Sequence, residues 1–126
     1  MTQIKTLLLL MSLIALANCT NEIKIEGFDA AAFKLDKHAC SGARASLESQ
    51  LIAVQEEFKG HNQIEITKLL GKPDKIEIYT RGQRFFIYFI EKGPSCSDKK
   101  LVKYPKSLFI RFSALNSANE IFIKDY

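Results

Sequence analysis

Two histidines and three cysteines are the side chains of this sequence best suited to metal or covalent chemistry. His38 and Cys40 stand one residue apart and offer two metal ligands at most, because no second cluster has the spacing of a zinc site. The Gly-x-Ser-x-Gly elbow, the Walker loop, the dinucleotide fingerprint and His-Glu-x-x-His are all missing. His61 is expected to be a solvated residue at a helix boundary, and Asp29 and Asp36 are expected to face solvent or cap helices. The sequence therefore predicts no metal, no cofactor and no catalytic residues.

Residues 1–18 are typical of a secretory signal peptide. Lys5 supplies the positive charge, and Leu7 to Leu16 is apolar apart from one serine. This stretch is shorter than the roughly 20 apolar residues of a membrane span. Leu16-Ala17-Asn18-Cys19 resembles the lipobox of bacterial lipoproteins, which implies cleavage before Cys19 and diacylglycerol on its sulfur, with acyl chains such as palmitate. The alternative is an ordinary signal peptide whose cleavage leaves Cys19 as a free thiol.

A lipidated Cys19 predicts a protein held on a membrane of the bacterial cell envelope, because two or more acyl chains anchor stably. Thr20-Asn21 lacks the aspartate that keeps many lipoproteins in the inner membrane. The outer membrane is therefore favoured, with the domain in the periplasm or at the cell surface. Cys40 and Cys96 are then the two thiols left in an oxidising compartment, and a disulfide between them is predicted.

Composition and charge limit the classes of partner. The chain is 47% hydrophobic and 25% charged, which predicts a folded domain. Lys5 is the leader's one basic group, so 17 of the 18 Lys and Arg remain against 14 Asp and Glu. This excess is too weak to indicate a nucleic-acid binder, which usually has a dense basic face. It is compatible with mild attraction to anionic lipid headgroups.

Two helices are predicted after a lipidated tether and irregular lead-in at residues 19–43, of which Phe28, Phe33 and Leu35 are expected to pack onto the domain. The first helix covers 44–59, with Ser46 or Ser41 as its N-cap and Gly60 just past its end. Its apolar stripe consists of Leu47, Leu51, Val54 and Phe58. The second begins with a capping box at Asn62 and Glu65 and ends at Gly71.

Four strands complete the predicted domain, which covers residues 44–126. They are expected at 75–80, 84–91, 107–113 and 120–124. The second is apolar on both faces, which predicts a central strand with both faces covered. Short connections favour an antiparallel meander. The predicted fold class is α+β, with two N-terminal helices packed on one face of an antiparallel sheet of three to four strands.

The junction from Ile66 to Asp74, Ile-Thr-Lys-Leu-Leu-Gly-Lys-Pro-Asp, resembles that of small bacterial lipoproteins. The resemblance is to the SmpA/OmlA (BamE-like) family and to the wider group that shares the fold of the β-lactamase inhibitor protein. It covers roughly residues 44–126 and implies the same α+β fold. It also implies a role in the cell envelope, although the two later cysteines and a long basic loop depart from the BamE-like pattern.

The loop from Lys92 to Lys106 is the most distinctive candidate surface, and its lysines are candidate contacts for anionic headgroups or an acidic partner: Lys99, Lys100, Lys103 and Lys106. The first hypothesis is a non-enzymatic, lipid-anchored module that binds an envelope protein. The second is an inhibitor or ligand-binding protein that uses the exposed face of the sheet. Exposed aromatic side chains such as Tyr79 or Phe109 would favour it. The third is an enzyme whose site joins His61 to carboxylates.

Overall fold

Short helices precede a four-stranded antiparallel sheet, as the sequence predicts. The computed structural model of the chain describes residues 22–97 and 103–126. The predicted signal peptide, the lipidation site at Cys19 and the loop lysines Lys99 and Lys100 lie outside the described residues. Within the described part, none of the helices has both the length and the apolar character needed to cross a bilayer.

The lead-in before residue 44 is more ordered than predicted, because it contains helix α1, Ala30–Leu35. Asp29 caps this helix by accepting a hydrogen bond from the Ala32 N–H, at 3.0 Å. Phe28 and Phe33 are buried as expected, but Leu35 is 82% exposed. The prediction for Leu35 was wrong because residues two apart on a helix point to nearly opposite sides, so the helix buries Phe33 and exposes Leu35.

The predicted helix at 44–59 is three consecutive segments: α2 at Ala43–Ser46, α3 at Glu48–Val54 and a 3₁₀ turn at Gln55–Phe58. Neither Ser41 nor Ser46 caps a helix; Gly42, in a left-handed conformation, precedes α2. The four stripe residues are nevertheless all buried. The apolar pattern thus identified the buried side of the segment correctly, while its continuity as one helix was wrong.

Helix α4, Gln63–Leu70, has the predicted capping box. The Asn62 side chain accepts from the Glu65 N–H at 3.0 Å, and the Glu65 carboxylate accepts from the Asn62 N–H at 2.9 Å. Gly71 ends the helix with φ +85°, and its Cα lies so close to Lys34 that a Cβ would approach the Lys34 Cγ to 3.1 Å. Only glycine meets both conditions, so this junction sets the path from α4 into the sheet.

The sheet is an antiparallel meander in the order β1-β2-β3-β4, which confirms the predicted topology. Its strands are β1 at Lys75–Ile78, β2 at Arg84–Phe89, β3 at Lys106–Phe112 and β4 at Ala118–Asp125. A 3₁₀ turn at Thr80–Gly82 joins the first two strands. Ile76 and Ile78 share one face as predicted, but they are 50% and 76% exposed because β1 is an edge strand.

Both faces of β2 carry apolar side chains, as predicted, but different layers cover them. The helices pack on the face that presents Phe86, Tyr88 and Ile90. The Tyr88 hydroxyl donates to the Gly71 carbonyl at 2.8 Å, and burial raises the pKa of this phenol. The opposite face presents Phe85, Ile87 and Phe89, and this second face carries the candidate site.

Candidate functional site

An aromatic layer covers the face of the sheet against which none of the described α-helices packs. We call it the aromatic face; it lies over buried Ile87 and Phe89 and consists of Tyr79, Phe85, Phe109, Phe122 and Tyr126. Strand register builds it, because residues directly opposite each other in an antiparallel pair point to the same side. Phe109 stands opposite Ile87 on one side and Phe122 on the other.

The rings of the aromatic face contact one another continuously. Phe109 and Phe122 are stacked, with centroids 5.1 Å apart and planes 8° from parallel. Tyr126 also stacks on Phe109, with centroids 6.2 Å apart. Phe85 meets Phe109, Phe122 and Tyr79 edge-on, the last at 5.1 Å. Both geometries are favourable for aromatic pairs, so the layer is pre-organised.

Exposure divides this layer into a buried centre and an accessible margin. Tyr79 is 54% exposed, whereas Phe109 is only 5% exposed. Of the two aromatic residues whose exposure would favour an inhibitor or ligand-binding protein, Tyr79 is therefore exposed and Phe109 is not, because Phe122 and Tyr126 cover it. Phe85, Phe122 and Tyr126 are half-buried, so part of each ring is accessible.

Charged groups border the rings. The Lys75 Nζ lies 4.2 Å from the centroid of Tyr126, and the Lys124 Nζ lies 5.0 Å from that of Phe109. Such placement over a ring is favourable for a cation. The Tyr126 hydroxyl donates to Glu77 on β1 at 2.9 Å, so this residue spans the sheet from the end of β4 to the opposite edge.

The predicted disulfide is confirmed and closes one end of the aromatic face. Cys40 and Cys96 are bonded, with Cα atoms 5.4 Å apart. The bond joins the turn Lys37–Ala39 to the loop after β2, and the buried Ala39 packs in the same cluster as Phe89. Neither thiol is therefore free to ligate a metal. No group of three or more His, Cys, Asp or Glu in the described ranges could hold a metal ion.

The lysines predicted to contact headgroups or a partner do not form one site within the described residues. Lys103 is exposed, with its Nζ 5.3 Å from the Tyr104 centroid. Lys106 lies at the start of β3, where its Nζ contacts the Glu48 carboxylate at 3.0 Å. That hydrogen bond and the attraction of the carboxylate raise the pKa of Lys106. Lys106 thus ties the sheet to helix α3.

Histidines and carboxylates outside the sheet have structural contacts. The His61 Nδ1 lies 3.2 Å from Glu65 Oε2, so the carboxylate that could partner this histidine already completes the capping box. The hydrogen bond from the Asn62 N–H lowers the pKa of Glu65.

The pKa of Asp36 is lower than that of a free aspartate. Burial alone would raise this pKa, but hydrogen bonds from the Arg44 N–H and from Ser41, together with the Arg44 charge, outweigh it. Asp36 therefore caps the start of α2 as a carboxylate, and it is buried rather than facing solvent.

A buried ion pair between Arg44 and Asp74 was not predicted. The Arg44 Nη1 lies 2.6 Å from Asp74 Oδ2, and both side chains are almost fully buried. The Arg44 Nε donates to the Phe33 carbonyl, and its guanidinium lies 4.4 Å from the Phe33 ring centroid. One signal was available: Arg44 stands three residues before Leu47 and so extends the apolar stripe by one position.

Comparisons with protein family models, with curated proteins and with solved structures find no match to this chain. The resemblance of the Ile66–Asp74 junction to the SmpA/OmlA (BamE-like) group therefore stays a prediction.

Proposed function

We propose that this protein is a non-enzymatic, lipid-anchored module of the bacterial cell envelope that binds a protein partner through the aromatic face. The single observation that carries the proposal is the layer of mutually packed rings on the sheet face that the described α-helices leave uncovered. Lipid on Cys19 would confine the module to a membrane surface. An enzymatic role has less support, because the one carboxylate hydrogen-bonded to the His61 ring among the described residues is that of the capping box.

Aromatic residues are the side chains most enriched at the centres of protein interfaces. Here the rings are already ordered by stacking and by the hydrogen bond between Tyr126 and Glu77. Little side-chain entropy would be lost when a partner docks, and this makes a pre-organised face a better binding surface than flexible side chains.

Charge indicates the kind of partner. Two cations, Lys75 and Lys124, lie beside the rings, and the nearby Arg111 is paired with Glu120 at 2.9 Å. The surface therefore suits a protein segment that places apolar side chains on the rings and a carboxylate beside Lys75 or Lys124. Complementary charge of this kind favours the correct partner and raises the association rate.

Photo-crosslinking in intact cells tests the aromatic face. A p-benzoylphenylalanine residue in place of Tyr79 or Phe122 is expected to give a discrete crosslinked protein, identified by mass spectrometry. The matched control carries the same residue in place of Leu115, which is apolar and 91% exposed but lies in the turn before β4. In the crosslinking background, Lys75→Glu/Lys124→Glu should reduce the adduct at least several-fold.

Two outcomes would contradict this assignment. One is an adduct pattern from position 115 that matches those from positions 79 and 122. The other is an adduct that persists undiminished when both lysine charges are reversed, because the partner would then not be recognising the charged border of the aromatic face.

The lipid anchor requires its own test. Cells fed radiolabelled palmitate are expected to label the wild-type protein and not Cys19→Ala, and the wild type should fractionate with membranes. Cys40→Ala/Cys96→Ala serves as the control, because it removes the other two thiols and should still be labelled. Absence of label in the wild type, with recovery of the protein in the soluble fraction, would contradict the proposed lipid anchor at Cys19.

The exposed Tyr79 favours the second candidate, an inhibitor or small-ligand-binding protein that uses the same face. Purification of the full-length protein in mild detergent distinguishes the two. A small molecule that co-purifies with the wild type and is lost from Tyr79→Ser/Phe122→Ser would support the second candidate, whereas a protein lost in the same way supports the first.

A further inference from the structure

A basic cleft lies away from the aromatic face, between the end of α1 and the junction that follows α4. Its volume is about 460 Å³, and its charged and polar lining includes Lys34, Lys37, His38, Arg44, Lys72 and Asp74. This volume falls within the range of small-molecule sites. The residues come from three separate parts of the sequence, so only the folded chain assembles the cleft.

Four cations line the cleft against the carboxylate of Asp74, which is already engaged. Its Oδ2 accepts from the Arg44 Nη1 at 2.6 Å and from the Phe89 N–H at 2.7 Å, and its Oδ1 accepts from the His38 N–H at 3.2 Å. Lys37 and Lys72 are exposed and make no ion pair with any described residue. An unneutralised positive charge therefore faces the cleft.

Arg44 adds a pre-positioned charge. It is 1% exposed, and its Nε and Nη1 are hydrogen-bonded to protein groups. The residue nevertheless lines the cleft. Asp74 and the Phe33 carbonyl fix the plane of the guanidinium, so its charge beside the cleft is ordered before any ligand binds.

The wall of the cleft contains unusual backbone. His38 and Ala39 both have φ of 58°, a left-handed conformation that non-glycine residues rarely adopt. Asp74 holds the His38 N–H, and the disulfide follows at Cys40. The His38 Nδ1 also lies 3.1 Å from Asp74 Oδ1, so this carboxylate contacts both the backbone and the ring of His38. The strained backbone of His38 and Ala39 persists only where surrounding contacts enforce it, and strain of this kind is concentrated at functional sites.

We propose that the basic cleft binds a phosphate group. The ammonium groups of Lys37 and Lys72 suit the spread charge of a phosphate, and the fixed Arg44 guanidinium adds to the positive charge of the lining. The volume leaves room for the organic part of a phosphate ester. A soluble phosphate monoester and the phosphodiester of a lipid headgroup share this chemistry, and both could supply the group.

Isothermal titration of the full-length protein in detergent tests the cleft. The probes are inorganic phosphate, glycerol 3-phosphate and a short-chain phosphatidylglycerol, with short-chain phosphatidylcholine and equal ionic strength of chloride as references. Lys37→Gln/Lys72→Gln is expected to weaken binding about tenfold, because each lysine contributes a charge-assisted contact. Lys59→Gln/Arg81→Gln removes the same charge from exposed positions outside the cleft and should bind as the wild type does.

The titration distinguishes a soluble phosphate ester from a lipid headgroup and can also overturn the proposal. Binding of glycerol 3-phosphate that depends on Lys37 and Lys72 assigns a soluble ester, and binding of phosphatidylglycerol alone with the same dependence assigns a headgroup. Equal losses in the two double variants would overturn the proposal, since only net charge would then matter, and so would no binding of any phosphate probe. Tyr79→Ser/Phe122→Ser should retain phosphate binding, so failure of the proposed protein-binding function and failure of the cleft are separable.

Discussion

Arg44→Met is expected to lower the free energy of unfolding by about 3–5 kcal/mol, the largest effect of any single substitution considered for this chain. Methionine approximates the length of the side chain but removes the guanidinium. Asp74 would then keep its charge in a site where its side chain is 3% exposed, with two backbone N–H groups and the His38 ring beside it but no arginine to compensate it. The carbonyls of Phe33 and Phe89 would also lose a donor.

Urea unfolding followed by far-ultraviolet circular dichroism measures this loss, since the chain has no tryptophan for fluorescence. The matched control is Arg111→Met, which removes an arginine from a pair with Glu120 whose side chains are 35% and 51% exposed. That control should lose at most about 1 kcal/mol. Equal losses in the two variants would show that burial of the Arg44 pair contributes nothing to stability.

A second substitution separates the pair from the space it fills. Arg44→Met/Asp74→Asn is expected to be more stable than Arg44→Met alone, because the uncompensated charge has been removed and the amide oxygen can still accept from Phe89. If the double variant instead loses the sum of the two single losses, the two residues do not interact.

The elements that sequence reasoning located correctly are those defined by local spacing. The capping box of α4 depends on residues three apart, Asn62 and Glu65, and its glycine stop follows the last helical residue. The double apolar pattern of β2 is equally local, and it correctly indicated a strand covered on both faces. Short connections after the first and third strands then left the meander as the simplest topology.

Errors arose where tertiary contacts decide the backbone. A stripe such as Leu47, Leu51 and Phe58 has the same spacing whether the helix is continuous or interrupted, so periodicity could not locate the break at Leu47. Gly42 and the buried Asp36 set the start of α2 instead. Helix α1 has only 6 residues, too few for an apolar period to be recognised.

The candidate sites were harder to predict because long-range pairs assemble them. Arg44 and Asp74 are 30 residues apart, and Tyr126 and Glu77 are 49 apart. Nothing in the local sequence indicates that Tyr126 stacks on Phe109 and helps to bury it. The aromatic face can be predicted only once the sheet register is known, because the register places Phe122 opposite Phe109.

The disulfide prediction differs because it rested on counting thiols rather than on spacing, and its removal gives the second large expected effect. Cys40→Ala/Cys96→Ala should lose about 4 kcal/mol of stability, since the bond closes a loop between residues separated by 56 positions and restricts the unfolded chain. For a small domain this is a large share of the total. Alanine is preferred over serine because Cys96 is buried.

Urea unfolding with and without dithiothreitol isolates the covalent contribution. The wild type should lose stability on reduction, and the double alanine variant should be unaffected by the reagent. The bond also anchors the left-handed turn at His38 and Ala39, so reduction should weaken phosphate binding in the basic cleft. The control Lys59→Gln/Arg81→Gln, with its disulfide intact, should show no such loss. Crosslinking from position 122 should change less, since Phe122 is held by stacking on Phe109 and by the β3–β4 register, neither of which involves a cysteine. An unchanged unfolding midpoint after complete reduction would mean that the packed core alone holds the turn and the sheet together.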